Sequence, residues 1–206
     1  YEYLIKCAFL FSDTSFFRMW ESSAAAANEL LAQDTTTGYW YGVVNMYTGK
    51  REASYTGALD AFYPAILTLS GDLERAKRLQ ESFYKMWTTF GIEPEGMDYA
   101  TMKVVYPGYP LRPEIIESAY YLYYFTRDDR YRQMGQVIFD SLKRYCRTEA
   151  GYASLKDVTT KEKADEMESF FLAETLKYLY LLFAPPETLN LTTNVFNTEA
   201  HPMMRN

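Results

Sequence analysis

Apolar residues along this chain alternate between two textures, and the alternation predicts a repeated pair of helices. Four runs are apolar nearly all round, as in Ser118 to Phe125 and Phe170 to Phe183, the pattern of a helix buried on most sides. They end alike, at Leu10-Phe11-Ser12-Asp13, Thr68-Leu69-Ser70-Gly71-Asp72, Tyr124-Phe125-Thr126-Arg127-Asp128 and Leu182-Phe183-Ala184-Pro185. Phe11, Leu69, Phe125 and Phe183 are thus spaced by 58, 56 and 58 residues. In the first three, a Ser or Thr with a nearby Asp supplies N-cap chemistry for a second helix.

Those second helices are amphipathic. Phe16, Phe17, Trp20, Ala24, Ala27 and Leu31 share one face of the first. Leu73, Ala76, Leu79, Phe83 and Trp87 do so in the next, with Gly91 placed to close it and Glu74, Arg75, Lys77 and Arg78 charging its surface. Tyr131, Met134, Val137 and Leu142 recur in the third, from about Asp129 to Cys146. Tyr39 to Tyr47 and Gly151 to Val158 read as short strands in the long connections. An inner ring of buried helices inside an outer ring of amphipathic ones is an all-α fold, an (α/α) toroid with short β-pieces in its connections. Its inner helices are expected to begin near Tyr1, Leu59, Arg112 and Met167. An open solenoid of the same period would leave aromatic faces bare at its ends. Four hairpins do not comfortably close a ring, which points to further hairpins outside these residues.

Composition narrows the function. The 206 residues suit one domain, and 48% apolar content with 20 Tyr and 13 Phe is enough to bury a core. A formal charge of −6 excludes nucleic acid as a partner, because the phosphate backbone demands a basic footprint. No run of about 18 apolar residues is present to span a membrane. The single histidine, His201, excludes a multi-histidine metal cluster and disfavours a Ser/His triad. Hydrolytic chemistry here must lean on carboxylates. Cys7 and Cys146 read either as buried free thiols or as partners of cysteines elsewhere.

Acids recur where burial is expected. Nine residues before each repeat marker stand Glu2, Asp60, Ile116 (with Glu117 next to it and Glu114 two before it) and Glu174. Buried carboxylates are costly, and in a toroid equivalent positions converge on the axis, so the pattern predicts a central acidic pocket. Each acid could instead simply favour its own helix N-terminus. That reading is weaker for Arg112-Pro113-Glu114-Ile115-Ile116-Glu117. Pro113 suits a first turn, and Glu114 and Glu117 share a face beside Arg112. Near the end, Phe196-Asn197-Thr198-Glu199-Ala200-His201-Pro202 is too polar for a core; a threonine there offers two oxygens of the kind that hard cations prefer.

These segments carry a resemblance. Leu111-Arg112-Pro113-Glu114 with Glu117-Ser118, the run Met167 to Phe183, Asn197-Thr198-Glu199-Ala200-His201-Pro202 and Tyr1-Glu2-Tyr3-Leu4-Ile5-Lys6 resemble signature segments of glycoside hydrolase family 47, the class I α-mannosidases. The resemblance runs from Tyr1 to about Pro202. Leu59-Asp60-Ala61-Phe62-Tyr63-Pro64 is closer to the ER degradation-enhancing α-mannosidase-like branch, whose segment there is Leu-Gln-Ala-Phe-Trp-Pro. The resemblance implies an (αα)7 barrel, of which residues 1–206 form the C-terminal portion of one catalytic domain whose N-terminal half lies upstream. It implies Ca2+ bound by both oxygens of Thr198, Glu114 as a catalytic carboxylate, and Glu117, Glu174 and Glu199 holding calcium-bound waters or sugar hydroxyls. Arg112 and Phe170 match sugar-contacting residues. The implied activity is inverting hydrolysis of terminal α-1,2-linked mannose from high-mannose N-glycans on misfolded glycoproteins, in the endoplasmic reticulum lumen, marking them for degradation. A protein disulfide isomerase-like oxidoreductase is the implied protein partner, and Asn190-Leu191-Thr192 is a glycosylation sequon suited to that compartment. The family's catalytic acid is not among these residues. A mannose-glycan lectin without turnover would use the same pocket, and a helical scaffold with purely structural acids would need no calcium.

Overall fold

A computed structural model describes residues 1–205, and it resolves the repeat into three helical hairpins and one further inner helix. The first pair is α1 (Glu2–Phe11) and α2 (Thr14–Leu30). The second is α3 (Tyr63–Ser70), entered through a 3-10 turn at Ala58–Phe62, with α4 (Leu73–Phe90). The third is α5 (Glu114–Thr126) with α6 (Asp129–Ser141), which runs on through a widened turn at Leu142–Cys146. The last inner helix, α7 (Leu176–Phe183), is entered through a widened turn at Phe171–Thr175.

Each hairpin turns in the same way. Ser12, Gly71 and Arg127 sit in the left-handed region at φ 55°, 88° and 57°, ending the inner helix. The next residue, Asp13, Asp72 or Asp128, accepts a backbone N–H of the outer helix, from Ser15 at 2.7 Å, Arg75 at 3.3 Å and Arg130 at 3.0 Å. The caps legible in the repeat therefore form.

The inner helices stand in a row: α1 packs on α3, α3 on α5 and α5 on α7. Outer helices α4 and α6 each cover their own inner helix and the following one. Serine and threonine hydroxyls stitch the row where backbone bonding is broken. Pro64 has no N–H, and the Ser118 hydroxyl of α5 bridges the break, donating to the Ala61 carbonyl at 2.6 Å and accepting the Ala65 N–H at 3.0 Å.

Short strands fill the connections. β1 (Ala32–Asp34) pairs antiparallel with β2 (Tyr39–Tyr41), and β3 (Val43–Val44) with β4 (Arg51–Ala53). β5 (Tyr55–Gly57), β6 (Gly96–Asp98) and β7 (Lys103–Tyr106) form a three-stranded sheet that ties two connections together, with Gly57 opposite Gly96. β8 (Leu155–Asp157) pairs with β9 (Glu162–Lys163). The closing hairpin, β10 (Asn194–Phe196) and β11 (Pro202–Met204), places Val195 opposite Met203. At its base, Arg205 donates to the Phe9 carbonyl in the last turn of α1 at 3.0 Å. Its tip, Asn197 to His201, reaches the opposite end of α1.

Several expectations need correction. The repeat comprises three hairpins and a lone inner helix rather than four hairpins. After Phe183 the chain is extended at Ala184 and makes only one short 3-10 turn, Pro186–Thr188, before it passes into the β10–β11 hairpin. The inner helices are also not buried all round. Leu172 and Tyr180 are 58% and 65% exposed because α7 ends the row and has an inner neighbour on one side only, and Phe125, in the last turn of α5, is exposed as well. Phe17 on α2 and Val137 on α6 lie on the solvent side of faces whose Trp20, Ala24, Ala27, Tyr131 and Met134 are buried. Asp60 is exposed and accepts the Gly57 N–H at 2.9 Å, a local cap rather than a member of an axial cluster. Cys7 is half-buried and Cys146 buried, both free among the described residues.

Candidate active site

Glu2, Glu114 and Glu117 all lie in first turns, of α1 and α5, and Glu174 lies in the turn that leads into α7. These helix ends face the tip of the β10–β11 hairpin. The Thr198 hydroxyl lies 3.4 Å from Glu2 Oε2, and the Thr198 N–H lies 3.4 Å from the Tyr3 hydroxyl. Asn197 Oδ1 holds the tip in shape by accepting the Glu199 and His201 N–H groups at 3.0 and 2.8 Å. Lys177 of α7 anchors it by donating to the Ala200 carbonyl at 2.8 Å. Local chain chemistry thus brings Glu117, Glu174, Thr198 and Glu199 to one place, together with Glu2.

Burial and crowding define the electrostatics. Glu117 is buried, and burial pushes its carboxyl up to about 7 against the pull of Lys6. Its Oε1 accepts from the Tyr178 hydroxyl at 3.2 Å. Glu174 is pushed up to about 7 by burial first, then by Glu199 and Glu117. Glu114 is pushed up to about 8, chiefly by burial, with Arg112 opposing; its Oε2 is buried and has no hydrogen-bond partner. Lys6 forms the salt bridge of Glu117, and neither Glu114 nor Glu174 has one among the described residues.

The loop before α5 presents Arg112 and Glu114 from a constrained backbone. Leu111 is buried at φ 66°, and the Thr175 hydroxyl grips its carbonyl at 2.7 Å. Thr175 belongs to the widened turn in which the Leu176 N–H reaches back five residues to Phe171. The same loop is fixed on its other side by the Tyr109 hydroxyl, which donates to the Arg112 carbonyl at 3.3 Å. The Arg112 guanidinium lies 5.6 Å from the centre of the Phe170 ring, and its charge acts on Glu114. Asn190 sits apart, in the turn before β10, where its Oδ1 accepts both the N–H and the hydroxyl of Thr192 at 2.9 and 2.7 Å.

Two residues outside the motifs, Glu93 and Glu95, and one inside a motif but given no role there, Lys6, prove central. Glu95 takes Arg112 in a forked pair, with Nε to Oε2 at 3.1 Å. Glu93 is wholly buried with both carboxylate oxygens unpartnered, beside Glu114, Glu95 and Arg112. Lys6 is buried between Glu2 and Glu117. Helical periodicity could not find Glu93 and Glu95, since they lie in a connection; the signal was the run Gly91-Ile92-Glu93-Pro94-Glu95, two acids in a stretch whose neighbour Ile92 is core.

Among the described residues, no three His, Cys, Asp or Glu side chains are disposed to ligate one metal directly. A calcium ion is nevertheless compatible with the donor chemistry here. The groups round Thr198 are oxygen donors whose mutual repulsion a hard cation relieves, and Thr198 brings a hydroxyl and a carbonyl among them.

A row of helical hairpins with a carboxyl cluster at one end, faced by the tip of a β-hairpin, is the architecture of part of an α-helical toroid. The chain belongs to glycosyl hydrolase family 47, which it matches over residues 1–205. It is 38% identical to Alpha-mannosidase I MNS5 of Arabidopsis thaliana, over 98% of this chain and 35% of that protein. It is 35% identical to human ER degradation-enhancing alpha-mannosidase-like protein 2, over 98% of this chain and 38% of that protein. The solved alpha-1,2-mannosidase from Trichoderma reesei superposes with a TM-score of 0.88 at 27% identity, over 100% of this chain and 50% of that one. The chain therefore spans about a third of the length of these curated relatives and half of the solved mannosidase. The fold is part of an (αα)7 barrel.

Proposed function

We propose that residues 1–206 are the C-terminal portion of a single catalytic domain that removes terminal α-1,2-linked mannose from high-mannose N-glycans with inversion. The observation that carries this reading is Glu114, a nearly sequestered carboxyl near Arg112, whose guanidinium lies over Phe170, and near the Glu117 and Glu174 cluster that faces Thr198. The names of the relatives support mannose-glycan processing linked to ER degradation. Misfolded glycoproteins are the substrates we assign, the endoplasmic reticulum lumen the compartment, and a disulfide isomerase-like oxidoreductase the protein partner. The Asn190 sequon is assigned as a glycosylation site of that compartment.

Glu114 acts as general base. A water molecule attacks the anomeric carbon as the glycosidic C–O bond breaks; its proton passes to Glu114, and a carboxylic acid elsewhere in the domain protonates the departing oxygen. Space between the two carboxyls for that water is what gives inversion. Arg112, held by Glu95, orients the base, and Phe170 offers an apolar face to the sugar ring. When bound, calcium supplies electrostatic binding of sugar hydroxyls; Thr198 would hold it directly, with Glu117, Glu174 and Glu199 acting through waters. Because a base must be ionised, kcat/KM should climb with pH as Glu114 loses its proton.

The test is Glu114→Gln in the complete domain, which keeps the shape and removes the basic carboxylate. Trimming of a high-mannose glycan should fall about 10²- to 10⁴-fold. Glycan binding should persist. Near-normal turnover in the variant refutes the assignment; glycan binding without turnover in the parent protein establishes the lectin alternative instead.

A further inference from the structure

One buried side chain in the acidic cluster has no part in that mechanism. Lys6 lies one turn after Glu2 on α1 and is 2% exposed, the one buried lysine among the described residues. Its ammonium pairs with Glu2 Oε1 and lies 3.6 Å from Glu117 Oε1. Glu2's other oxygen is the one 3.4 Å from the Thr198 hydroxyl. Glu117's Oε1 is also the oxygen that accepts from Tyr178. Lys6 is thus separated from Thr198 by a single carboxylate and shares Glu117 with the cluster around Glu174.

Of the other cations near the cluster, Arg112 is paired outside it and Lys177, whose charge acts on Glu174, is only half-buried. Arg112 is forked onto Glu95, and Lys177 is bound to the Ala200 carbonyl. Glu2, Glu117, Glu174 and Glu199 therefore share one buried positive charge. A lysine can be buried at this depth only because carboxylates compensate it, and the carboxylates gain equally from it. Both kinds of group are what a bound divalent cation would reorganise.

We propose that Lys6 is the resident counter-ion of this cluster: it holds Glu2 and Glu117 in place without calcium and weakens calcium binding by sharing the same carboxylates. The inference rests on the calcium reading above. Lys6 is a positioning residue, acting on the cation site through Glu2 and Glu117. It makes the calcium-free domain a folded state, and it sets affinity by competition: two positive charges in one low-dielectric pocket repel, so each weakens the other's hold.

The experiment compares Lys6→Met, which keeps the stem and removes the charge, with Lys6→Arg, which keeps the charge. Both are made in the complete domain. Calcium affinity is read by titration calorimetry, and Tm is read with chelator and with saturating calcium. Lys6→Met should bind calcium roughly tenfold or more tightly, the scale expected for losing a neighbouring unit charge in a partly buried site. Its Tm should fall in chelator and recover with calcium, widening the calcium-dependent gap, while Lys6→Arg stays near the parent. A Lys6→Met protein that folds only with calcium supports the same conclusion. Equal loss of Tm with and without calcium at unchanged affinity makes Lys6 merely structural and overturns the proposal, as does failure to fold even in saturating calcium. Absence of calcium binding by the parent domain overturns the calcium reading itself, and the two failures are told apart by that single control.

Discussion

Glu93 shows how far a carboxyl can be pushed when the residues around it serve another purpose. It is 0% exposed, neither oxygen has a partner, and the nearest charges are Glu114, Glu95 and Arg112, the last already forked onto Glu95. Desolvation first, then the two acids, hold its carboxyl well above the usual carboxylate range, so it is buried as the neutral acid. The consequence for stability has a definite sign. A folded-state value above the unfolded one means that the folded protein binds the extra proton. Stability is therefore complete below the unfolded carboxylate range and is lost as pH rises towards the folded value, with a slope of about 1.4 kcal/mol per pH unit for one proton. Glu93→Gln cannot ionise and should remove that slope. Denaturant unfolding in chelator should show parent and variant similar near the unfolded carboxylate range and the variant increasingly more stable towards alkaline pH. A parent and variant that diverge in the opposite sense would show that Glu93 is buried as a charge.

At the scale of elements, much was legible because helices announce themselves by repetition. The three Asp caps, the buried face of α4 and that of α6 apart from Val137 follow from side-chain spacing, whereas the left-handed residue before each cap was not read from it. The tip of β10–β11 and the 93–95 connection were not legible this way. Their partners are distant in sequence: Thr198 meets Glu2, and Glu95 meets Arg112, contacts that no local period encodes. Glu114 and Glu117 stood out by the recurrence of acids and Thr198 by its polar segment, whereas their individual roles came only from the motif resemblance. The lone state of α7 was missed because a helix's outer partner cannot be read from the helix itself. Gly135 is a second such case. It lies inside α6, where glycine costs about 1 kcal/mol relative to alanine. A β-carbon there would meet Leu182 Cδ2 of α7 at 2.2 Å and Ile116 Cδ1 of α5 at 3.3 Å. Leu182 and Ile116 are wholly buried, so neither can swing into solvent. Overpacking costs about 1–3 kcal/mol and should outweigh the gain in propensity. Gly135→Ala is expected to lower the Tm of the complete domain; a rise would mean that α6 can lift from α7 freely.

The whole molecule is a row with two unpartnered ends. Tyr1 (66% exposed), Tyr3 and Phe11 are bare at the α1 edge, and Leu172, Tyr180 and Phe183 at the α7 edge. An apolar groove of about 400 Å³ runs along α6 and α7, lined by Phe139, Leu176, Leu179, Tyr180, Phe183 and Ala184. In a seven-hairpin barrel these edges are where the remaining hairpins pack, and contiguous apolar faces of this kind do not stay in water unaided. Residues 1–206 produced alone should therefore self-associate, with a sedimenting mass that rises above 24.0 kDa with concentration. The substitution pair Leu172→Arg and Tyr180→Arg should reduce that association, since it places charge on the bare face. In the complete domain the same pair should act in the reverse direction, lowering stability by several kcal/mol, because both charges would then be buried without partners. The opposite signs separate a packing face from an ordinary exposed surface. A monodisperse 24.0 kDa species that is indifferent to both substitutions, together with a complete domain equally indifferent, would place the remaining hairpins somewhere other than on these edges.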